Sequence, residues 1–177
     1  MKPLTTKQLT YLSWTAAFLS FMFLFCILLL PVSSFLLTKV RDVQFPPGDI
    51  GNVVRDDEGN YYYTDVAYQR VQTFDKQGIF KNSWHVNAQG GYFVAEINAD
   101  NQLRIIARRS KKEFIFDRTG HFVASSDNAK YTFDNKNLSK SLKGIRIPFY
   151  LWIFNPFIAL SYIIVALLLN WFVKRNK

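Results

Sequence analysis

The sequence predicts a membrane protein of mixed class, in which two membrane-spanning helices flank an antiparallel all-β domain of two four-stranded units. Three observations carry this reading. Two apolar blocks, residues 8–38 and 147–173, hold no charged residue; all thirteen acidic residues lie between Asp42 and Asp134; and the polar middle is duplicated, the run Phe74–Phe80 recurring as Phe116–Phe122. The 177 residues are 49% hydrophobic, with 22 Lys+Arg and a net charge of +9. Spread evenly, that composition would suit an ordinary globular chain. Its segregation excludes a soluble cytosolic enzyme and a disordered chain.

The first block runs without a charge from Gln8 to Thr38. As one helix it would reach roughly 45 Å, against a hydrocarbon core of about 30 Å. Pro31 cannot donate to a helix and disfavours helical geometry at Leu30, so the excess is expected beyond it, as a kink or an emerging turn. A transmembrane helix over 9–37 follows, kinked at Pro31, with Tyr11 and Trp14 near one interface. The block is about twice the usual length of a signal-peptide core and lacks an Ala-x-Ala site, so an uncleaved anchor is preferred to a signal peptide.

The second block, 147–173, carries Trp152 and Trp171 near its two ends, as interfacial belts require, and is expected to span once. Asn155-Pro156 predicts a separate, partly unwound first turn or two. The tails at 1–8 and 174–177 are basic and free of acids. Both termini are therefore expected in the cytoplasm, and the domain over 38–146 in the periplasm or extracellular space. Cys26 is the only cysteine, so no intrachain disulfide can form. Neither span contains an ionisable Asp, Glu, Lys, Arg or His, which argues against an ion-coupled transporter within one subunit.

One constant shift along the chain aligns Phe74-Asp75-Lys76-Gln77-Gly78-Ile79-Phe80 with Phe116-Asp117-Arg118-Thr119-Gly120-His121-Phe122. Each copy, about 50–91 and 92–133, reads as four short strands. The first has Asn52–Arg55, Asn60–Asp65, Arg70–Phe74 and Ile79–Trp84; the second has Tyr92–Ile97, Leu103–Ala107, Glu113–Phe116 and His121–Ser125. A fragment of a further strand is read at Tyr131–Asp134. Asp followed three residues later by Gly supplies a positive-φ connection between the third and fourth strands. A four-stranded unit of about 40–45 residues is the size of one β-propeller blade.

The run from Asp57-Glu58-Gly59-Asn60-Tyr61 to Asp65, followed by Gln69-Arg70-Val71-Gln72-Thr73-Phe74 to Gly78, resembles an NHL-type propeller repeat. The first copy matches closely and the second loosely. The resemblance implies that Asp65 and Arg70 are blade-stabilising polar residues; Ala107 and Lys112 stand at the matching places of the second copy. Closed propellers have about four to eight blades, so two leave uncovered edges and faces. A homo-oligomeric ring is one expectation, a trimer ahead of a tetramer. A compact monomeric sandwich or barrel, and a partner protein supplying the missing blades, are the others.

Arg104, Arg108, Arg109, Lys111 and Lys112 form the densest basic cluster, either an interaction site for anionic lipid or a partner, or a solvated edge. Lys39, Arg41, Lys136, Lys140, Lys143 and Arg146 are expected to form a basic collar at the outer membrane surface. Asp56-Asp57-Glu58 reads as a solvated turn in preference to a calcium loop. His85 and His121 lack metal-type spacing. Asn137-Leu138-Ser139 is a formal glycosylation sequon. Gly78 and Gly120 are expected to hold the hairpin turns. Asn155, Ser161 and Asn170, with Ser20, are the few polar side chains able to line a pore or pack helices.

No enzyme activity, cofactor or metal is expected. The leading expectation is a membrane-anchored scaffold whose outer domain homo-oligomerises and binds another envelope protein or a polymer, with membrane lipids as further partners and no nucleic acid. A small homo-oligomeric channel and an extracytoplasmic ligand sensor are the alternatives.

Overall fold

A computed structural model describes residues 5–35, 38–127, 141–153 and 155–175. Helix α1 (Thr6–Phe35) leads into β1 (Ile50–Arg55), β2 (Tyr61–Asp65), β3 (Arg70–Phe74) and β4 (Phe80–His85). Then follow β5 (Phe93–Ile97), β6 (Leu103–Ala107), β7 (Lys112–Phe116) and β8 (Phe122–Asp127), and helices α2 (Phe149–Ile153) and α3 (Pro156–Arg175). The strands form two four-stranded antiparallel sheets, each in sequential order, β1-β2-β3-β4 and β5-β6-β7-β8. The strand fragment read at 131–134, the collar lysines 136 and 140, and the sequon lie outside the described residues.

The two sheets are related residue by residue. The shift that carries Phe74 onto Phe116 also carries β2, β3 and β4 onto β6, β7 and β8, and the break in register between Thr73 and Phe74 recurs between Ile115 and Phe116. The cause is local turn chemistry. Asp75 Oδ1 accepts from the backbone N–H groups of Gln77 and Ile79, both at 2.9 Å, and Asp117 Oδ1 accepts from those of Thr119 and His121 at 2.9 and 2.8 Å. Each turn closes on a glycine in the left-handed region, Gly78 at φ 77° and Gly120 at φ 82°. Burial would raise the Asp117 pKa, but hydrogen bonds from Thr119 and His121 bring it down to about 2.

The core lies between the sheets. Tyr62, Val71 and Trp84 from the first pack with Phe93, Ala95, Leu103, Ile105 and Phe116 from the second. At its centre the Asn52 side chain acts as a missing stretch of strand. Its Nδ2 donates to the Ala95 carbonyl at 2.7 Å, and its Oδ1 accepts the Ala95 N–H at 2.9 Å. On the polar end, Arg118 reaches from the β7–β8 turn to Asp57 at 2.6 Å and to Glu58 in the β1–β2 turn. These acids are exposed, so solvent screens the clamp and it contributes little.

The opposite face of the first sheet is polar and still buried, because the segment joining α1 to β1 lies across it as a strap. Gln72 Oε1 accepts the Phe45 N–H at 2.9 Å and its Nε2 donates to the Phe45 carbonyl at 3.3 Å. The Ser83 N–H donates to the Arg41 carbonyl at 2.7 Å, and its hydroxyl donates to the Val43 carbonyl at 3.0 Å. Arg70 Nη2 donates to the Val40 carbonyl, with the guanidinium over the Phe45 ring at 4.3 Å. Asp65 Oδ2 accepts the Gly48 N–H at 2.8 Å and the Tyr63 hydroxyl at 2.9 Å. Fully buried Asp65 and Arg70 stand opposite one another in the β2–β3 pairing and bind this strap.

Burial pushes the Asp65 carboxyl up to about 7, against the lowering effect of its hydrogen bonds, and pushes Arg70 down to about 10. An acid whose folded pKa is raised holds its proton in the folded state alone between about pH 4 and pH 7, so folding stability falls as pH rises through that window. The loss is expected to be on the order of 2–4 kcal/mol, at about 1.4 kcal/mol per pKa unit. His85, lowered by burial and by Arg70, acts in the opposite sense. Denaturation midpoints of the parent and Asp65→Asn, compared from pH 5 to pH 8, isolate the effect: the parent loses stability relative to the variant as pH rises. Equal slopes would contradict it.

Helix α1 continues through Pro31 to Phe35, inside the 9–37 range expected from the sequence; proline fixes φ near a helical value, and one lost backbone bond does not end a long apolar helix. Its Thr6–Cys26 portion is long and apolar enough to cross a membrane. Helix α3 packs along α1, with Ala16, Cys26, Ala166 and Val173 buried. The second apolar block holds two helices, α2 ending at Ile153 and α3 starting at Pro156 with Asn155 outside both, as Asn155-Pro156 suggests. The Ile153 carbonyl left by the break accepts the Tyr162 hydroxyl at 2.6 Å and the Cys26 thiol at 3.8 Å. Asn155 Oδ1 accepts the Ile158 N–H at 3.2 Å, which caps α3.

Candidate docking surface

Duplication makes the two outer strands, β4 and β8, a matched pair, and their surroundings differ. Strand β4 is guarded: Ser83 and Trp84 are buried, the Ser83 N–H is bound by the strap, and Lys81 stands exposed on the strand. Strand β8 is exposed at all six residues, Phe122 to Asp127. It contains neither lysine nor proline, the residues that ordinarily blunt a sheet edge. Phe122 and Val123 are 57% and 51% exposed. Phe122 extends an aromatic row outward from the core, its ring 5.9 Å from Phe116, which lies 5.8 Å from Trp84.

A bare strand edge presents backbone N–H and C=O groups to a partner strand, and exposed apolar side chains on its flanks give that pairing area. Sequence reasoning expected the blade edges to make subunit contacts but did not single out Phe122–Asp127 among them. The only available signal was its lack of Lys and Pro, and exposure itself depends on what the rest of the chain covers.

The basic cluster is not one surface. Arg104 lies on the far face of the second sheet between Glu96 and Glu113, the latter at 2.8 Å. Hydrogen bonds from Arg104 lower the Glu113 pKa. Lys112 pairs with Asp127 across β7 and β8 at 3.4 Å. Arg108, Arg109 and Lys111 occupy the β6–β7 loop, all three exposed. Of the collar residues, Lys39 and Lys143 are exposed; the Arg41 side chain donates to the Gly120 carbonyl at 3.1 Å, and the Arg146 N–H donates to the Gly78 carbonyl at 2.8 Å. Asp56 accepts from Asn60 and Tyr62, and Asp57 and Glu58 serve Arg118. Among the described residues no group of acids, histidines or cysteines is arranged to hold a metal ion.

Asn155, Ser161 and Asn170 are not brought to one stripe. Asn155 caps α3, the Ser161 hydroxyl donates to the Ile158 carbonyl at 2.6 Å, and exposed Asn170 lies nine residues beyond Ser161. At about 100° per residue, nine steps put these two on opposite sides of the helix. Ser20 donates to the Ala16 carbonyl within α1 at 2.9 Å.

No protein-family model matches the chain, and no curated protein sequence matches it. The NHL-type resemblance therefore rests on the run from Asp57 to Gly78 alone. Among solved structures, a streptogramin B lyase is similar to 51% of this chain at 11% identity and a TM-score of 0.43. The chain spans 30% of that protein's length.

Proposed function

We propose that the chain is a membrane-anchored interaction subunit, whose β domain lies outside the cytoplasm and assembles by pairing its β8 edge with a strand of a second copy. The observation that carries the reading is the contrast between β4, which the strap guards, and β8, which is exposed at every residue and, among the described residues, pairs with β7 alone. The two sheets are the blades of a partial propeller in this reading. Helices α1 and α3 form a two-span anchor with both termini cytoplasmic. Support comes from the large apolar side chains they turn outward, among them Phe18, Phe21, Leu24, Leu160, Leu167 and Trp171. Such a surface is stable in lipid and aggregates in water.

A head-to-tail ring of three or four copies would stack one copy on the outer face of the next copy's first sheet. The strap from Val40 to Gly48 lies on that face. Edge pairing between two copies leaves the strap in place.

The test places lysine on the edge. In mild detergent the parent is expected at a multiple of 20.6 kDa by native mass spectrometry. The doubly substituted Val123→Lys/Ser125→Lys is expected as single copies, both positions being exposed and tolerant of the change. A variant that assembles like the parent, or a parent that never assembles, would refute the proposal.

A further inference from the structure

The shift that joins Phe74 to Phe116 also carries Ser83 of β4 onto Ser125 of β8, and the first copy shows what a serine at this place holds. The Ser83 N–H points away from β3 and donates to the Arg41 carbonyl at 2.7 Å, while its hydroxyl donates to the Val43 carbonyl at 3.0 Å. One residue thus grips two carbonyls of an extended segment. Ser125 stands opposite Phe114 as Ser83 stands opposite Gln72, so its N–H points away from β7 in the same sense. Ser125 is exposed, and among the described residues its strand pairs with β7 alone.

A second copy has few edges to offer such a strand. Strands β2, β3, β6 and β7 are flanked on both sides. Strands β1 and β5 lie against each other, joined by the Asn52 side chain on Ala95 and by the Tyr92 hydroxyl, which donates to the Gly51 carbonyl at 2.8 Å. Strand β4 holds the strap through Ser83. Among the described strands, β8 is what remains. Its charge permits the match. The one charged residue of the strand, Asp127, pairs with Lys112 of its own sheet at 3.4 Å, so neither edge brings an unpaired charge to the other.

Resting on the edge-pairing reading above, we infer that the strand met by β8 is β8 of the second copy, running antiparallel, with Ser125 facing Ser125 across a twofold axis. The antiparallel form is isologous: each outward residue exchanges both of its backbone bonds with an outward residue of the other strand. Outward places alternate, so Ser125 and Asp127 qualify in the regular part of β8. Val123 sits where the register with β7 breaks, between the Ala124–Ile115 and Phe122–Phe116 pairs. Centring on Ser125 keeps the central bonds in the regular part and matches 123–127 of one strand to 127–123 of the other. Centring on Ala124 would route both outward pairs through the break at Val123, and centring on Ser126 would match 125–127 alone. The Ser125 register also holds Asp127 roughly 13 Å along the strand from its symmetry mate, four residues at 3.4 Å each. Ala124, Ser125 and Ser126 lie at the axis, so nothing bulky meets its own copy there.

The full-length protein in mild detergent, in a Cys26→Ser background, tests the register with single cysteines at exposed positions. Facing residues of a hydrogen-bonded antiparallel pair have Cα atoms about 5.5 Å apart, within reach of a disulfide. Under mild oxidation Ser125→Cys is expected to link into covalent pairs, and Val123→Cys alone to stay unlinked. Co-expressed with a tagged Asp127→Cys chain, Val123→Cys is expected to link to it. An unlinked Ser125→Cys, or a Val123→Cys that links alone as readily, overturns the Ser125 register. A parent that still runs as a pair in native mass spectra then leaves the edge-pairing reading standing. A parent found only at 20.6 kDa overturns both.

Discussion

Gly120→Val is expected to unfold the β domain or lower its stability by about 2–6 kcal/mol, the sum of two effects. The residue sits at φ 82°, where a β-branched side chain is strained by about 1–3 kcal/mol, and a Cβ there would overlap the Trp84 ring in the core. Overpacking of that kind adds about 1–3 kcal/mol, because Trp84 is held between Val71 and Phe116 and cannot withdraw. Gly78→Val carries the same backbone strain, but its Cβ would meet the Gly144 carbonyl, so its damage falls on the docking of the returning chain. Thermal melting followed by near-ultraviolet dichroism separates the two: the first loses the core signal, and the second is the milder. Parent-like melting of both would refute the turn assignment.

Asn52→Ala is expected to cost about 2–4 kcal/mol, although the substituted side chain is small. The Ala95 N–H and carbonyl both lose their partner inside the interface between the sheets, at about 1–3 kcal/mol for each buried group left unmade. Thr64 also loses its contact with Asn52 Oδ1, now at 3.0 Å. Asn52→Asp keeps the acceptor but removes the donor and buries a charge, so it is expected to be no better. Chemical denaturation of both variants tests this; a cost below about 1 kcal/mol for Asn52→Ala would mean the sheets are joined by apolar packing alone.

The β domain was legible because its punctuation is local. Asp75 with Gly78, and Asp117 with Gly120, make the same turn from the same atoms, and every strand boundary read from such residues falls within two residues of the observed one. The break at Asn155-Pro156 was legible for the same reason. Pro31 left a kink and an emerging turn both open, since a proline signals a lost bond without saying whether the helix stops.

The strap left no pattern to read. It is caught by its main chain, through the N–H of Phe45 and Gly48 and the carbonyls of Val40, Arg41, Val43 and Phe45, so its side-chain sequence carries little of the signal. Asp65 and Arg70 were recognisable as structural polar residues, but what they bind lies far upstream in the chain, beyond the reach of any local pattern. The β8 edge was hidden for a related reason. A strand is an edge only by virtue of what the remaining chain leaves uncovered.

Amide hydrogen exchange, read residue by residue in discs holding one copy and in the assembled protein, tests the docking edge most directly. The Ser83 amide, bound to the Arg41 carbonyl, is expected to exchange slowly in both. The amides of β8 that point away from β7 are expected to exchange rapidly in the single copy and slowly once copies associate. Slow exchange along β8 in an isolated copy, or no change on assembly, would contradict the account.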